Sequence, residues 1–264
     1  MKNVLVLVHD DPGEDARLQA ALDVTRTISG HLLCLHVVVP SEAIGRHRDD
    51  GDSAVVDLVR GRVSQHGARI KDRLQAEGVS WAIAETLGSL DSELIGASEL
   101  ADIIVLSGPA GRDNEQARHL IGEVAVKTRR PVLAVPPTCS RLDLGGAALV
   151  AWDGSRPANE ALRSAVPLLQ HASSVTLLEV NAPISQVSVS EAASYLSRHG
   201  VHAQVDEEST DRPLSETILD KAHAIAAAYV VIGAYGLPRW LESLFGGVTD
   251  GMLLKADLPI LLAH

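Results

Sequence analysis

The chain has 264 residues, a formal net charge of −11, and 46% hydrophobic but only 3% aromatic residues. An acidic balance without a basic stripe excludes a general nucleic-acid role, because nothing would displace counterions from phosphates. With so few aromatics the core must be Val, Leu, Ile and Ala, which suits a parallel sheet covered by helices on both faces.

The first apolar run, residues 4–8, ends at His9-Asp10. It is too short for a signal-peptide core and turns acidic where a cleavage site belongs. No stretch reaches transmembrane length. Cys34 and Cys139 belong to no CxxC or Cys/His cluster, so neither a disulfide framework nor a metal site is expected. These features predict a soluble, cytoplasmic protein that engages neither nucleic acid nor membrane.

After the strand at 4–8 the pattern gives a helix over 14–29, a strand at 32–39, a long helix, and a third strand at 79–84. A third helix, a fourth strand at 103–108 and a proline-led fifth strand at 131–135 follow. The same order then repeats. A strand at 148–152 precedes a helix over 158–169, where Ala158, Ala161, Leu162, Ala165, Val166 and Leu169 keep the spacing of one buried face. Further strands fall at 175–180, 201–205, 229–233 and 259–263, with helices between them.

Strands alternating with helices give right-handed crossovers and a parallel sheet. The predicted fold class is therefore α/β: two tandem, doubly wound, five-stranded parallel-sheet domains of Rossmann-like type. They span residues 1–138 and 146–264, joined by the linker from Pro136 to Gly146. The offset between halves drifts from about 143 to about 128 residues, mostly through a polar loop from Pro40 to Ser53 that only the first half has. The apolar fifth strands need cover. They are expected to face each other in an intramolecular domain–domain pseudo-dimer, which leaves a whole-chain homodimer open.

Ligands of open parallel sheets sit at the carboxyl ends of the strands. After the fourth strand of the second half the chain reads Gly233-Ala-Tyr-Gly236, then nine residues, then Gly246-Gly247-Val248-Thr249. A helix starting near Val248 offers unpaired N–H groups and the positive end of its dipole. Glycines there let backbone approach an anion, making a phosphate cradle without a lysine. Arg239 lies inside the loop, within reach of a phosphate or free in solvent. No GK[ST], no GxGxxG after the first strand, no GxSxG and no HExxH occurs, and no catalytic residue is nominated.

These residues resemble the universal stress protein family, whose nucleotide-binding members carry G-x2-G-x9-G-[S/T] after the fourth strand and an Asp closing the first. Gly233, Gly236 and Gly246 match that spacing, and Asp153 in Trp152-Asp153-Gly154-Ser155 matches the strand end. The fold so implied is the nucleotide-binding type related to the adenine nucleotide alpha hydrolases. The resemblance implies ATP, with Mg2+, as ligand. Gly233, Gly236, Gly246 and Gly247 would hold ribose and phosphates, with Val248 and Thr249 in the helix start. Ala151, Trp152, Asp153 and the backbone near Val180 would hold the adenosine part. Gly247 departs from the family's Ser/Thr, which removes a hydroxyl donor.

The first half reads Gly108-Pro-Ala-Gly111, then ten residues, then Gly122-Glu123, with Asp10 at the end of its first strand. A carboxylate where a phosphate-binding hydroxyl belongs would repel ATP, and Pro109 removes a donor. The expected function is a stress-response protein binding an adenine nucleotide in its C-terminal domain, a sensor or adaptor rather than an enzyme. The alternatives are a nucleotide-free interaction module acting through dimer and partner surfaces, and a slow ATPase. The plainer roles for single residues are core packing for Trp152, turn capping for Asp153, and structural hydrogen bonding for His9 and His36.

Overall fold

The computed structural model describes residues 1–38, 65–109, 115–181, 187–236 and 247–264. The Pro40 to Ser53 loop, Gly111, Arg239 and Gly246 lie outside them. The first half runs β1 (Asn3–Val8), α1 (Glu14–Thr27), β2 (His31–Val38), α2 (65–75), β3 (Ser80–Leu87), α3 (Leu90–Ala97), β4 (Ile103–Ser107), α4 (Glu115–Thr128) and β5 (Val132–Val135). The second runs β6 (Ala147–Trp152), α5 (Arg156–Leu169), β7 (Ser174–Val180), α6 (Val189–Arg198), β8 (Ala203–Glu208), α7 (Leu214–Ala224), β9 (Ala227–Gly233), α8 (Val248–Lys255) and β10 (Ile260–Ala263).

The strands form one ten-stranded sheet in the order β3-β2-β1-β4-β5-β10-β9-β6-β7-β8. Within each half the first, second and fourth strands pair in parallel, as crossover helices require. At the centre β5 and β10 pair antiparallel, with Leu133 opposite Leu261. All four residues of each of these strands are buried. Pairing edge to edge satisfies both backbones and covers both apolar edges at once.

Two apolar layers flank the sheet. Val4, Val6, Val8, Ala148, Val150 and Trp152 lie in one layer, and Leu5, Leu7 and Leu149 in the other. Alternate side chains of one strand thus enter opposite layers, as a pleated strand dictates.

Several boundaries differ from the sequence pattern. The third strands run on to Leu87 and Glu208, through polar residues that hydrophobicity alone ends too early. They are the sheet's outer strands, so one face is solvated while the ladder with β2 and β7 continues. Helix α5 starts at Arg156, because Ser155 accepts the Ala158 N–H and Pro157 suits the first turn. Helix α1 ends at Thr27, with Ser29 in the left-handed region at φ 48°. The connection from 136 to 146 is packed rather than free: Leu142 and Leu144 are buried, and the Leu142 N–H donates to Asp23 Oδ2 at 3.0 Å.

Candidate functional site

The carboxyl ends of β6 and β9 meet at the start of α5. Asp153 leaves β6 exposed, and its Oδ1 accepts the Ser155 N–H at 2.9 Å, a turn that aims the chain into the helix. Gly154 sits at φ +66°, a backbone conformation that favours glycine. Pro157, one turn on, lies against the second strand end: a Cβ on Gly236 would come 3.2 Å from its ring. The Asp153 turn and the Gly233–Gly236 loop therefore converge on one helix terminus. Of the other sequence candidates, Ala151 is half-buried in β6 and Val180 closes β7.

Gly233 has a packing reason of its own. A Cβ there would lie 2.4 Å from the Ala158 backbone nitrogen and 2.7 Å from the Pro157 carbonyl carbon. The glycine is required by the close approach of α5 to β9, whether or not an anion binds. Trp152 is a core residue, 3% exposed, with its indole N–H lacking a hydrogen-bond partner.

Gly247 is the N-cap of α8 at φ −50°, ψ 143°, and as a glycine it brings no capping side chain of its own. The helix's first-turn amides have no intrahelical acceptor. Val248 is the first helical residue and Thr249, buried, the second.

The strand register corrects the alignment of the two halves. Val6 pairs with Val105 and Val150 with Val231, while Val135 pairs with Ser107 and Ala263 with Gly233. Ser107, not Gly108, is therefore the counterpart of Gly233. Asp10 has no counterpart role either. Asp11 makes the turn that Asp153 makes, its Oδ1 accepting the Gly13 N–H at 2.7 Å before α1.

The helix after the fourth strand differs more. Buried Ile121, Val124 and Ala125 of α4 match the spacing of buried Thr249, Met252 and Leu253 of α8. That spacing sets His119, rather than Glu123, opposite Gly247. Yet α4 is already helical at Glu115. The amides that would start a phosphate cradle in the first half are consequently spent on internal helix bonds.

A cavity of about 850 Å³ opens at the same end of the first half, beside Asp11, Arg17, Ser107, Asp91, Glu115 and Glu123. Arg17 forms its floor and is 1% exposed. Its Nε donates to Leu7 O at 2.6 Å and its Nη2 to His9 O at 3.1 Å. Its Nη1 donates to Asp11 Oδ2 at 2.9 Å and to Ser107 Oγ. This guanidinium is committed to the protein, and the carboxylates around the cavity carry its remaining charge. Sequence reasoning missed Arg17; an arginine on the inward stripe of α1, between Ala16 and Leu18, was the available signal.

One buried carboxyl lies near the second site. Glu179 of β7 is 8% exposed, beside Trp152 and across from Glu207. Burial, and then Glu207, raise its pKa above the ordinary glutamate value. Among the described residues no group of three or more His, Cys, Asp or Glu is placed to hold a metal ion. Nor is any described helix long and apolar enough to cross a membrane.

A model of the Universal stress protein family matches residues 147–264. No curated protein matches the sequence. Among solved structures, a universal stress protein from Archaeoglobus fulgidus is similar, with 18% identity, TM-score 0.75, and 99% of this chain and 95% of that one covered. A functionally unknown protein from Pseudomonas aeruginosa has 18% identity, TM-score 0.63, and 100% and 92% coverage. Residues 147–264 thus match the universal stress protein family by sequence, and the chain over its whole length shares the fold of these solved structures.

Proposed function

We propose that the chain is a stress-response protein of the cytoplasm that binds one adenine nucleotide, ATP with Mg2+, in its second half, residues 146–264. The observation that carries this reading is the convergence of the exposed Asp153 turn, the Gly233–Gly236 loop and the α5 terminus. Asp153 keeps one carboxylate oxygen beyond the bond to Ser155, suited to a ribose or adenine donor. The glycine-capped start of α8 supplies amides and a dipole of the right sign for phosphates. The described residues assemble no nucleophile–base pair there, and the role proposed is sensing or adapting rather than catalysis. The first half, residues 1–138, is the structural partner in a pseudo-dimer joined at β5 and β10.

Protein purified without added nucleotide is expected to carry adenine absorbance or to gain thermal stability when ATP-Mg is added, because a ligand of the native state raises its apparent stability. Gly236→Val should remove both effects while its own melting temperature stays near wild type. Absence of any shift at millimolar ATP would instead favour a nucleotide-free interaction module, a reading supported by the purely structural reason for Gly233. Phosphate release that Arg239→Ala abolishes would mark a slow ATPase.

A further inference from the structure

Away from both strand-end crevices, α2 is fastened to the first half by a buried polar cluster. His66 Nε2 lies 2.6 Å from Glu14 Oε2, and Arg69 Nη2 donates to Glu14 Oε1 at 2.8 Å. Glu14, the first residue of α1, is 4% exposed. His66 Nδ1 faces His36 Nε2 of β2 at 3.4 Å, with the rings edge to face. His36 Nδ1 is buried, has no hydrogen-bond partner among the described residues, and lies 3.7 Å from Glu85 Oε1 of β3. Glu85 also lies against Gly67 of α2. Among the described residues the remaining charged neighbours are His9 at the end of β1, and Asp10, 3.7 Å from Arg69.

The positions of the protons follow from these contacts. Ionised Glu14 accepts from His66 Nε2–H, so neutral His66 presents a lone pair at Nδ1. His36 Nε2–H then points at that lone pair, and His36 Nδ1 is left as an acceptor with no donor. One added proton fits at His36 Nδ1, toward Glu85. A proton added at His66 Nδ1 fits only when His36 carries its own hydrogen on Nδ1, toward Glu85, so a second added proton sets two hydrogens against each other between the facing nitrogens.

We propose that His36 and His66 form a proton-operated latch, which holds α2 against α1 and β2 while the facing nitrogens share one hydrogen and releases it when each of them carries its own. Burial, and then the neighbouring His66, lower the His36 pKa below the ordinary 6.5. The folded state therefore binds fewer protons at this residue than the unfolded chain does. Its contribution to stability is complete above the unfolded value and is lost as pH falls through 6.5 toward the depressed folded pKa.

Hydrogen exchange of residues 65–75 in the intact chain, expressed as protection factors at pH 7.5 and 5.0, tests the latch. Wild type should lose at least about tenfold protection in α2 on acidification, with β9 unchanged. His36→Phe removes the facing proton and leaves the His66–Glu14 bond, so its α2 protection should be the same at both pH values. His66→Gln, which still donates to Glu14 but leaves His36 buried, should lose less protection on acidification than wild type and serves if the phenylalanine variant fails to fold. Equal acid loss in wild type and either variant, or no loss in wild type, overturns the proposal.

Discussion

Arg17 shows how one side chain can decide what a crevice takes. Its guanidinium is buried in hydrogen bonds to Leu7, His9, Asp11 and Ser107, so it braces β1 against β4 instead of meeting an anion. Arg17→Met should cost about 3 kcal/mol in urea unfolding, the lower figure for a broken buried pair because Asp11 keeps partial access to water. Glu179 makes the opposite case. Its raised pKa means that the folded state favours the protonated carboxyl, so stability declines as pH rises past the ordinary glutamate value. Glu179→Gln should stabilise the protein at pH 7 and have little effect at pH 4, by thermal melts at both. An equal effect at both pH values would contradict that assignment. Asp153 was legible in the sequence because its acidic strand end stands in a Gly-Ser turn. Neither Glu179 nor Arg17 was, because a single charged residue in an apolar run gives no sign of its partners.

At the scale of elements, the alternation of apolar runs and helical stripes was enough to read the crossovers, since both faces of every inner strand are covered. Turn positions were less legible. Glycine spacing after the fourth strand suggested Gly108 as the partner of Gly233, whereas ladder register makes it Ser107; spacing along the chain does not record which residues pair. Similarly, the Gly122-Glu123 pair looked like a loop remnant and lies within α4. Gly233→Ala tests the packing role directly. Its Cβ would force α5 away from β9, and a loss of about 1–3 kcal/mol is expected even without nucleotide. A neutral Gly233→Ala would show that α5 yields at that contact.

For the whole molecule, the antiparallel β5–β10 pair makes the two halves one sheet. The repeat was visible in the sequence, and the apolar fifth strands pointed to where the halves meet. Freed from the first half, residues 146–264 would expose Ile260 to Ala263, all buried in the full chain, as an unpaired edge. That fragment should self-associate in sedimentation experiments where the full chain does not use this edge; a monomeric, folded fragment would mean β10 tolerates exposure. The asymmetry of the halves, one with a glycine-capped helix start and one with its helix extended through the same place, bears most directly on function. Isothermal titration of the intact chain with ATP-Mg measures it. One nucleotide per chain is expected in wild type and none in Asp153→Ala. Two per chain, or undiminished binding in Asp153→Ala, would contradict it.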